Sequence, residues 1–321
     1  MQGTGTVNEE LAQSLKGRDF LMLVDFKPEE IRYLIDLAID LKQKQKAGET
    51  HHVLKGKTLG MIFEKSSTRT RVSFEVGMYQ LGGQGLFLSG NDLQIGRGET
   101  IWDTAQTLSR YLDGIMIRTF AHRKVVELAR GATIPVINGL TDLSHPCQAL
   151  ADYQTILEQK GRLEGLKIAY IGDGNNMTHS LLMGAAKLGL HMSVATPEGY
   201  GPDADIIQQT KDHAAETGSK IHICRDPKEA IADADIVYTD VWASMGQEAE
   251  QKEREVAFAA YQVNEALTKY AKKDYLFMHC LPAHRGEEVS EGVIDGDSSI
   301  IFDQAENRLH AQKAIMAAIM S

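Results

Sequence analysis

Short apolar runs alternate with longer helical patterns along almost the whole chain, and no other feature constrains the fold more. The apolar runs predict strands, whereas Val72, Val76 and Tyr79 recur at helical spacing and residues 99–112 predict another helix. Strands that alternate with helices and are apolar on both sides form parallel sheets covered by helices. The predicted strands are residues 59–63, 86–89, 114–118, 134–138, 167–172, 192–195, 221–224, 236–239 and 276–280.

These strands form two series, which indicate an α/β fold with two doubly wound parallel-sheet domains joined by interdomain helices. Residues 145–161 separate the series with a helical pattern. Residues 304–320 predict a terminal helix that no strand follows. We therefore expect one domain at residues 1–152, with the terminal helix 305–321 packing back on it, and a second domain at residues 153–304.

Composition excludes several classes of protein. The net charge of −10 argues against a nucleic-acid-binding protein. Cys147, Cys224 and Cys280 have no metal-ligand spacing, which favours a reducing compartment. The N-terminal residues lack the apolar core of a signal peptide, and no run approaches the roughly 18 apolar residues of a membrane helix. We therefore expect a cytoplasmic protein that does not bind membranes.

The segment SSTRTR follows the first predicted strand and begins a helix. A helix N-terminus carries unpaired N–H groups and the positive end of the dipole. Ser67, Thr68 and Thr70 add hydroxyl groups, and Arg69 adds a forked cation. The pattern favours a phosphate site. The alternative is an ordinary helix cap with solvated arginines.

Two further motifs follow strands or precede a helix. Arg118 ends a predicted strand, and His145 stands before Pro146, with Gln148 one turn further on. Arg118 and His145 are candidates to donate to one carbonyl oxygen, as in an oxyanion hole. The alternatives are a surface arginine and a histidine that caps a helix.

The segment YIGDGNNMTHS follows a predicted strand and resembles part of a dinucleotide fingerprint. Gly172 and Gly174 fit that pattern, but Met177 occupies the third glycine position. We therefore interpret the segment as a tight turn that presents Asn175 and Asn176 at a helix start. Their amides are candidates to bind an amino-acid carboxylate or to cap the helix.

Asp240 directly follows a predicted strand, and Cys280 ends one. Asp240 is a candidate to bind an ammonium group, or a helix cap. Cys280 is a potential nucleophile, but successive strand side chains point oppositely, so His279 is not expected to act as its base. Arg308 lies in the terminal helix, where an arginine is normally solvated.

Together, STRTR, HPCQALAD, DVWASMG and HCLP resemble the ornithine carbamoyltransferases in order and spacing, from about Asp19 to the terminal helix. The first two motifs are shared with aspartate carbamoyltransferases and mark carbamoyl-phosphate binding. The pattern D-x-x-x-S-M-G, at residues 240–246, is typical of the ornithine branch. The resemblance implies a carbamoyl-phosphate-binding first domain, an ornithine-binding second domain, and no metal or cofactor.

The resemblance also implies roles for individual residues. The catalytic group is Arg118, His145, Asp240 and Cys280. The carbamoyl-phosphate-binding group is Ser67, Thr68, Arg69, Thr70, Gln94, Arg118, His145, Pro146, Cys147, Gln148, Cys280, Leu281 and Arg308. The ornithine-binding group is Asn176, Asp240, Ser244 and Met245. Gln94 matches a loop that reaches a neighbouring subunit, which implies a homotrimer or a multiple of trimers.

Three other functions stay open at this point. They are a carbamoyltransferase for another amine such as putrescine, a binding protein without activity on the same fold, and a nicotinamide dehydrogenase. Residues 244–246 are expected to close over ornithine once carbamoyl phosphate is bound. The motifs serve arginine synthesis and breakdown equally.

Overall fold

The computed structural model describes residues 3–95 and 97–321. The chain divides into two compact units, Met1–Gln154 with Glu306–Ser321, and Thr155–Ala305. In the part of the chain that the structure describes, no helix is both long enough and apolar enough to cross a membrane.

The first unit contains a parallel sheet covered by helices. Its elements are α1 (Gly3–Leu15), α2 (Pro28–Lys46), β1 (Thr58–Phe63), α3 (Thr68–Gln80), β2 (Gln84–Ser89), α4 (Ile101–Leu108), β3 (Gly114–Arg118), α5 (His122–Gly131), β4 (Val136–Leu140) and the start of α6 (Pro146–Lys160). The strand order is β2-β1-β3-β4. The strand order reverses between β1 and β3. In open α/β sheets, ligands bind beyond the carboxyl ends of the two strands between which the order reverses.

The second unit contains a parallel sheet in the order β7-β6-β5-β8-β9. Its elements are β5 (Lys167–Ile171), α7 (Asn176–Leu188), β6 (His191–Ala195), α8 (Ala204–Thr217), β7 (Ile221–Cys224), α9 (Pro227–Ile231), β8 (Ile236–Thr239), α10 (Gln251–Phe258), α11 (Glu265–Thr268), β9 (Leu276–His279), α12 (Glu291–Ile294) and the start of α13 (Ile301–Met320). Here the order reverses between β5 and β8.

The two-domain parallel α/β fold was predicted correctly, and every predicted strand overlaps an observed one. The predicted helix at 99–112 is shorter, at Ile101–Leu108. The expectation that strands are buried on both sides is wrong for β2, because Leu86 and Phe87 are exposed at the edge of the sheet.

The residues whose spacing predicted helix α3 do not lie on its buried face. Val72, Val76 and Tyr79 recur at helical spacing, yet all three side chains are exposed. Phe74 and Met78 are buried instead. The helix therefore presents an apolar stripe on its outer surface. A contiguous exposed apolar surface of this kind is unfavourable in water and often marks an interface.

The part of α13 that belongs to the first unit packs against α3. Gln312 Nε2 donates to Ser73 Oγ at 2.6 Å, and Lys313 Nζ donates to Gln80 Oε1 at 2.9 Å. A Cβ at Gly77 would meet Met316 Cε at 2.9 Å, so the absence of a side chain there allows the close approach. These contacts fix the helix whose N-terminus carries the SSTRTR segment.

Candidate active site

The phosphate motif lies at the switch point of the first sheet. Phe63 and Arg118, the last residues of β1 and β3, are paired in the sheet. Helix α3 begins directly beyond β1, and its cap Ser67 accepts a hydrogen bond from Thr70 N at 3.1 Å. Thr70 is buried, whereas Thr68 is exposed and Arg69 is half-buried. The N-terminal turn of α3 therefore offers backbone and side-chain donors beside two arginines.

Arg308 of α13 joins this segment to α6 in a buried network. Its Nη1 donates to Gln148 Oε1 at 2.7 Å, and its Nη2 donates to Thr70 Oγ1 at 3.1 Å. Gln312 Oε1 accepts from Arg308 Nη2 at 2.9 Å, and Gln148 Nε2 donates to Asp152 Oδ1 at 2.8 Å. Arg308 is only 3% exposed. The network fixes the orientation of the guanidinium and places a buried cation next to the phosphate motif.

His145 is the residue before α6, and both it and Arg118 are buried. Burial lowers the pKa of His145 well below its ordinary value. Neighbouring guanidinium groups lower this pKa further, those of Arg308, Arg118 and Arg69. A neutral imidazole offers one N–H donor without titrating near neutral pH, which suits a donor to a carbonyl oxygen.

Pro146 is the first residue of α6, and Cys147 follows it. Burial raises the pKa of Cys147 to about 12, and its Sγ lies 3.4 Å from the carbonyl oxygen of Asn138. A buried thiol of this kind is not a nucleophile at neutral pH. Gln94 lies in the loop after β2, where its side chain is exposed and outside the Arg308 network.

Two carboxylates that the sequence analysis missed support the same edge of the first sheet. Glu64, directly after β1, accepts hydrogen bonds from Lys124 Nζ at 2.7 Å and from Thr119 Oγ1. Lys65 is buried, and its Nζ contacts Asp142 Oδ1 at 2.5 Å. These contacts tie the chain between β1 and α3 to α5 and to the loops after β3 and β4.

In the second unit, the glycine-rich turn after β5 meets Asp240 after β8. Asn175 caps α7 by accepting hydrogen bonds from the backbone N–H groups of Met177 and Thr178. Its Nδ2 donates to Asp240 Oδ2 at 2.8 Å. A Cβ at Gly174 would lie 2.3 Å from the backbone carbon of Gly201, so this turn accommodates no side chain at Gly174. The turn therefore caps α7 and holds Asp240 in position.

Asp240 and Cys280 are brought together. Cys280 Sγ donates to Asp240 Oδ1 at 3.0 Å, and the same oxygen accepts from Val241 N at 2.8 Å. Asp240 is 6% exposed. Together with the contact from Asn175, these hydrogen bonds hold the carboxylate in a fixed orientation at the switch point, where it can accept an ammonium group.

His279 supports the loop that carries Cys280. Its Nδ1 accepts from Leu281 N at 2.9 Å, and its Nε2 donates to Glu288 Oε1 at 3.0 Å, with both His279 and Glu288 side chains fully buried. Glu288 also accepts from His284 N at 2.7 Å. Leu281 has a φ of 58°, a left-handed conformation that is strained for leucine. Because both ring nitrogens are engaged, His279 positions this loop and is not the base for Cys280.

Arg254 of α10 connects the two loops around Asp240. Its Nη1 donates to Asp173 Oδ2 at 3.0 Å and to the carbonyl oxygen of Trp242 at 2.8 Å. Its Nε donates to Glu250 Oε2 at 2.9 Å. Burial raises the pKa of Asp173 to about 6, although the charge of Arg254 opposes the shift. Arg254 therefore ties the turn after β5 to the loop after β8.

The remaining predicted ornithine ligands lie at the edges of this cluster. Asn176 is the first residue of α7, and its carbonyl accepts from Ser180 Oγ at 2.8 Å. Ser244 N donates to Gln247 Oε1 at 2.9 Å, which closes a turn over residues 244–247. Met245 in this turn is 47% exposed. Closure of this loop over a ligand stays a prediction.

Comparison with known proteins agrees with this geometry. Residues 18–158 match the family model for the carbamoyl-phosphate-binding domain of aspartate/ornithine carbamoyltransferase, and residues 164–319 match its Asp/Orn-binding domain. The chain belongs to this family. The resemblance expected from the four motifs is therefore confirmed.

Individual relatives are similar over nearly the whole chain. The ornithine carbamoyltransferase of Anoxybacillus flavithermus is 66% identical over 95% of this chain and 98% of its own. The solved structure of the Pyrococcus furiosus ornithine carbamoyltransferase has a TM-score of 0.93 at 58% identity, covering 95% of this chain and 98% of its own. A solved anabolic ornithine carbamoyltransferase of Campylobacter jejuni has a TM-score of 0.88 at 42% identity, covering 93% and 97%.

Proposed function

We propose that this chain transfers the carbamoyl group of carbamoyl phosphate to the side-chain amine of L-ornithine, giving L-citrulline and phosphate. The cluster of Asp240, Asn175 and Cys280 carries the proposal, because its carboxylate would bind the amine acceptor. A buried, oriented carboxylate lies beside Cys280 and within the family's ornithine-type loop at residues 240–246. The names of the relatives described above support ornithine as the acceptor instead of putrescine. They also support a carbamoyltransferase over a binding protein without activity and over a dehydrogenase.

In this proposal the first unit binds carbamoyl phosphate. The N-terminal turn of α3 supplies Ser67, Thr68, Arg69 and Thr70, and α6 and α13 supply Gln148 and Arg308, with Gln94 coming from a neighbouring subunit. Pro146 and Cys147 shape the start of α6. Buried donors that are already oriented lose little freedom when the phosphate binds, which favours affinity.

Arg118 and His145 would then donate to the carbamoyl oxygen. Negative charge grows on that oxygen as the tetrahedral intermediate forms, so donors fixed beforehand stabilise the transition state more than the substrate. The neutral state of His145 keeps its N–H contribution constant through the neutral pH range. The departing phosphate accepts the proton released by the attacking amine. No step requires a metal or an organic cofactor.

The second unit would bind ornithine. Asn176 holds the carboxylate, Asp240 binds an ammonium group, and Ser244 with Met245 covers the ligand. Cys280 and Leu281 line the substrates. Because an amine with a pKa near 10 is mostly protonated at neutral pH, the site must select or generate the neutral amine, and Asp240 with Cys280 would position it.

We further propose that residues 1–152 with 305–321 form the carbamoyl-phosphate domain and that residues 153–304 form the ornithine domain. We also propose a cytoplasmic homotrimer, or a multiple of trimers. The exposed apolar stripe of Val72, Val76 and Tyr79 on α3 supports self-association. Light scattering of a Tyr79→Glu variant, with the wild type in parallel, tests the assembly, and an unchanged trimer mass would exclude the stripe as an interface.

The decisive experiment measures ureido-product formation from carbamoyl phosphate with ornithine, putrescine, N-acetylornithine and aspartate in parallel. We expect a strong preference for ornithine. His145→Ala should lower kcat by about 100-fold or more, because one oxyanion donor is lost. Asp240→Asn should raise the KM for ornithine, whereas Thr70→Val should raise the KM for carbamoyl phosphate. Preference for another amine would refute the ornithine assignment and retain the carbamoyl-phosphate half.

A further inference from the structure

A histidine, a cysteine and a glutamate meet at the outer edge of the second sheet. They lie on β7, the edge strand, and on α9, the helix that follows it. His222 and Cys224 are two residues apart, so their side chains lie on the same face of the strand. Glu229 approaches them from α9. One ligand atom from each residue lies within 4.8 Å of the other two.

These distances suit a tetrahedral cation. His222 Nε2 and Glu229 Oε1 are 2.8 Å apart. Zinc binds imidazole nitrogen, carboxylate oxygen and thiolate sulfur at about 2.0–2.3 Å, so its ligand atoms stand about 3.3–3.8 Å from one another. To surround one ion, the His222 and Glu229 ligand atoms would therefore separate by about 0.5–1 Å, and the Cys224 sulfur would approach them by at most about 1.5 Å. The side chains of His222 and Glu229 are 51% and 55% exposed, which leaves a route from solvent and room for a water ligand.

The charges around the group are compatible with a cation. The carboxylate of Glu229 brings negative charge to the group, and Cys224 Sγ donates its proton to the carbonyl oxygen of Asp226 at 3.6 Å when no cation is present. A bound divalent ion would replace that proton and favour the thiolate. The nearby ammonium of Lys167 would repel a bound cation. It is hydrogen-bonded to the carbonyl oxygen of Ala232 at 2.6 Å.

We propose that His222, Cys224 and Glu229 form a site for a borderline-soft divalent cation of the Zn²⁺ class, with water as the fourth ligand. Nitrogen, sulfur and oxygen donors together favour such an ion over Mg²⁺ or Ca²⁺, which prefer oxygen ligands alone. Strands β7 and β8 are three strand spacings apart, about 14 Å, so the site lies apart from Asp240. The ion would join the edge strand to α9 and stabilise the second unit.

Any test must distinguish the thiol of Cys224 from that of Cys280. Ligand atoms of Asp240, His279 and Cys280 also lie within 4.8 Å of one another. We would therefore titrate full-length, reduced Cys280→Ser protein with Co²⁺ and follow the thiolate-to-cobalt charge-transfer absorption. We expect a saturable band, which Zn²⁺ abolishes by competition. Adding Cys224→Ser should remove the band, and adding His222→Gln should weaken Co²⁺ binding by about tenfold or more.

His213→Gln is the matched control. His213 also lies near a glutamate, Glu216, at 4.0 Å, but that pair includes no cysteine. It should leave the band unchanged. A second measurement avoids Cys280 variants: Zn²⁺ should raise the thermal midpoint of the wild type more than that of Cys224→Ser. The proposal fails if Cys280→Ser gives no charge-transfer band, if the band persists without Cys224, or if both proteins gain equal thermal stability from Zn²⁺.

Discussion

Lys313 offers a sharp test of how the first unit is held together. This lysine of α13 is fully buried, and its Nζ lies 2.8 Å from His51 Nε2 and 2.9 Å from Gln80 Oε1. Since Nδ1 of His51 donates to the carbonyl oxygen of Glu49, its Nε2 acts as the acceptor for the ammonium. Burial lowers the pKa of Lys313 from 10.5 to about 8.

This shift has a definite sign for stability. The folded state binds the proton of Lys313 more weakly than the unfolded state does, so the charged lysine destabilises the fold. The penalty is complete below pH 8 and disappears as the pH rises from about 8 to about 10.5. At about 1.4 kcal/mol per pH unit the full shift corresponds to about 3 kcal/mol, and water entry and side-chain relaxation reduce the expected value to about 1–3 kcal/mol.

The perturbation is Lys313→Met, and the assay is urea unfolding from pH 7.5 to 10.5 at one protein concentration. The methionine variant loses two hydrogen bonds at every pH, so that cost cancels from the pH dependence. Relative to the variant, the wild type should gain about 1–3 kcal/mol of unfolding free energy over this range. The control Lys46→Met, at an exposed position, should parallel the wild type. A constant difference between wild type and Lys313→Met would refute the reasoning.

Three further predictions concern the second unit. Arg254→Lys should raise the KM for ornithine about tenfold or more and leave the KM for carbamoyl phosphate unchanged. The reason is that one ammonium group does not reproduce the contacts of the guanidinium to both loops. Equal changes in both KM values would contradict this prediction. Glu288→Leu should lower kcat about tenfold, and Glu288→Gln should restore most of it, since the amide oxygen can still accept from His279; failure of glutamine to rescue would argue against a positioning role. Gly174→Ala should weaken ornithine binding, measured by calorimetry, because its Cβ would overlap Gly201.

Much of the fold, and the position of several candidate site residues at strand ends, could be predicted from the sequence for one physical reason. Residues that end a strand, such as Arg118, or directly follow one, such as Asp240, can be identified from the apolar run before them. The carboxyl ends of parallel strands lie at one edge of the sheet. The motif resemblance then supplied the family, which the comparisons confirm. Which residues bind each substrate stays a prediction.

The supporting residues were missed because their role depends on contacts distant in sequence. Arg254 and Glu288 stand in polar, helix- or loop-like segments, where a charged residue is normally solvated. Only the structure shows Arg254 beside Asp173 and Glu288 beside His279. The exposed stripe of α3 could not be predicted for a related reason, since periodicity gives a helix face but does not say whether that face packs inside the same chain.

The two units apply one arrangement to different ligands. In each sheet the strand order reverses once, and the loops beyond those two strands carry the polar residues. A buried arginine from elsewhere in the chain lies in each unit. Arg308 hydrogen-bonds to the side chains of Gln148 and Thr70, and Arg254 hydrogen-bonds to the Asp173 side chain and the Trp242 backbone carbonyl. Because these contacts lie within the first unit for Arg308 and within the second unit for Arg254, we expect a defect in either arginine to affect one substrate before the other. Selective effects on KM are therefore the natural signature of this architecture.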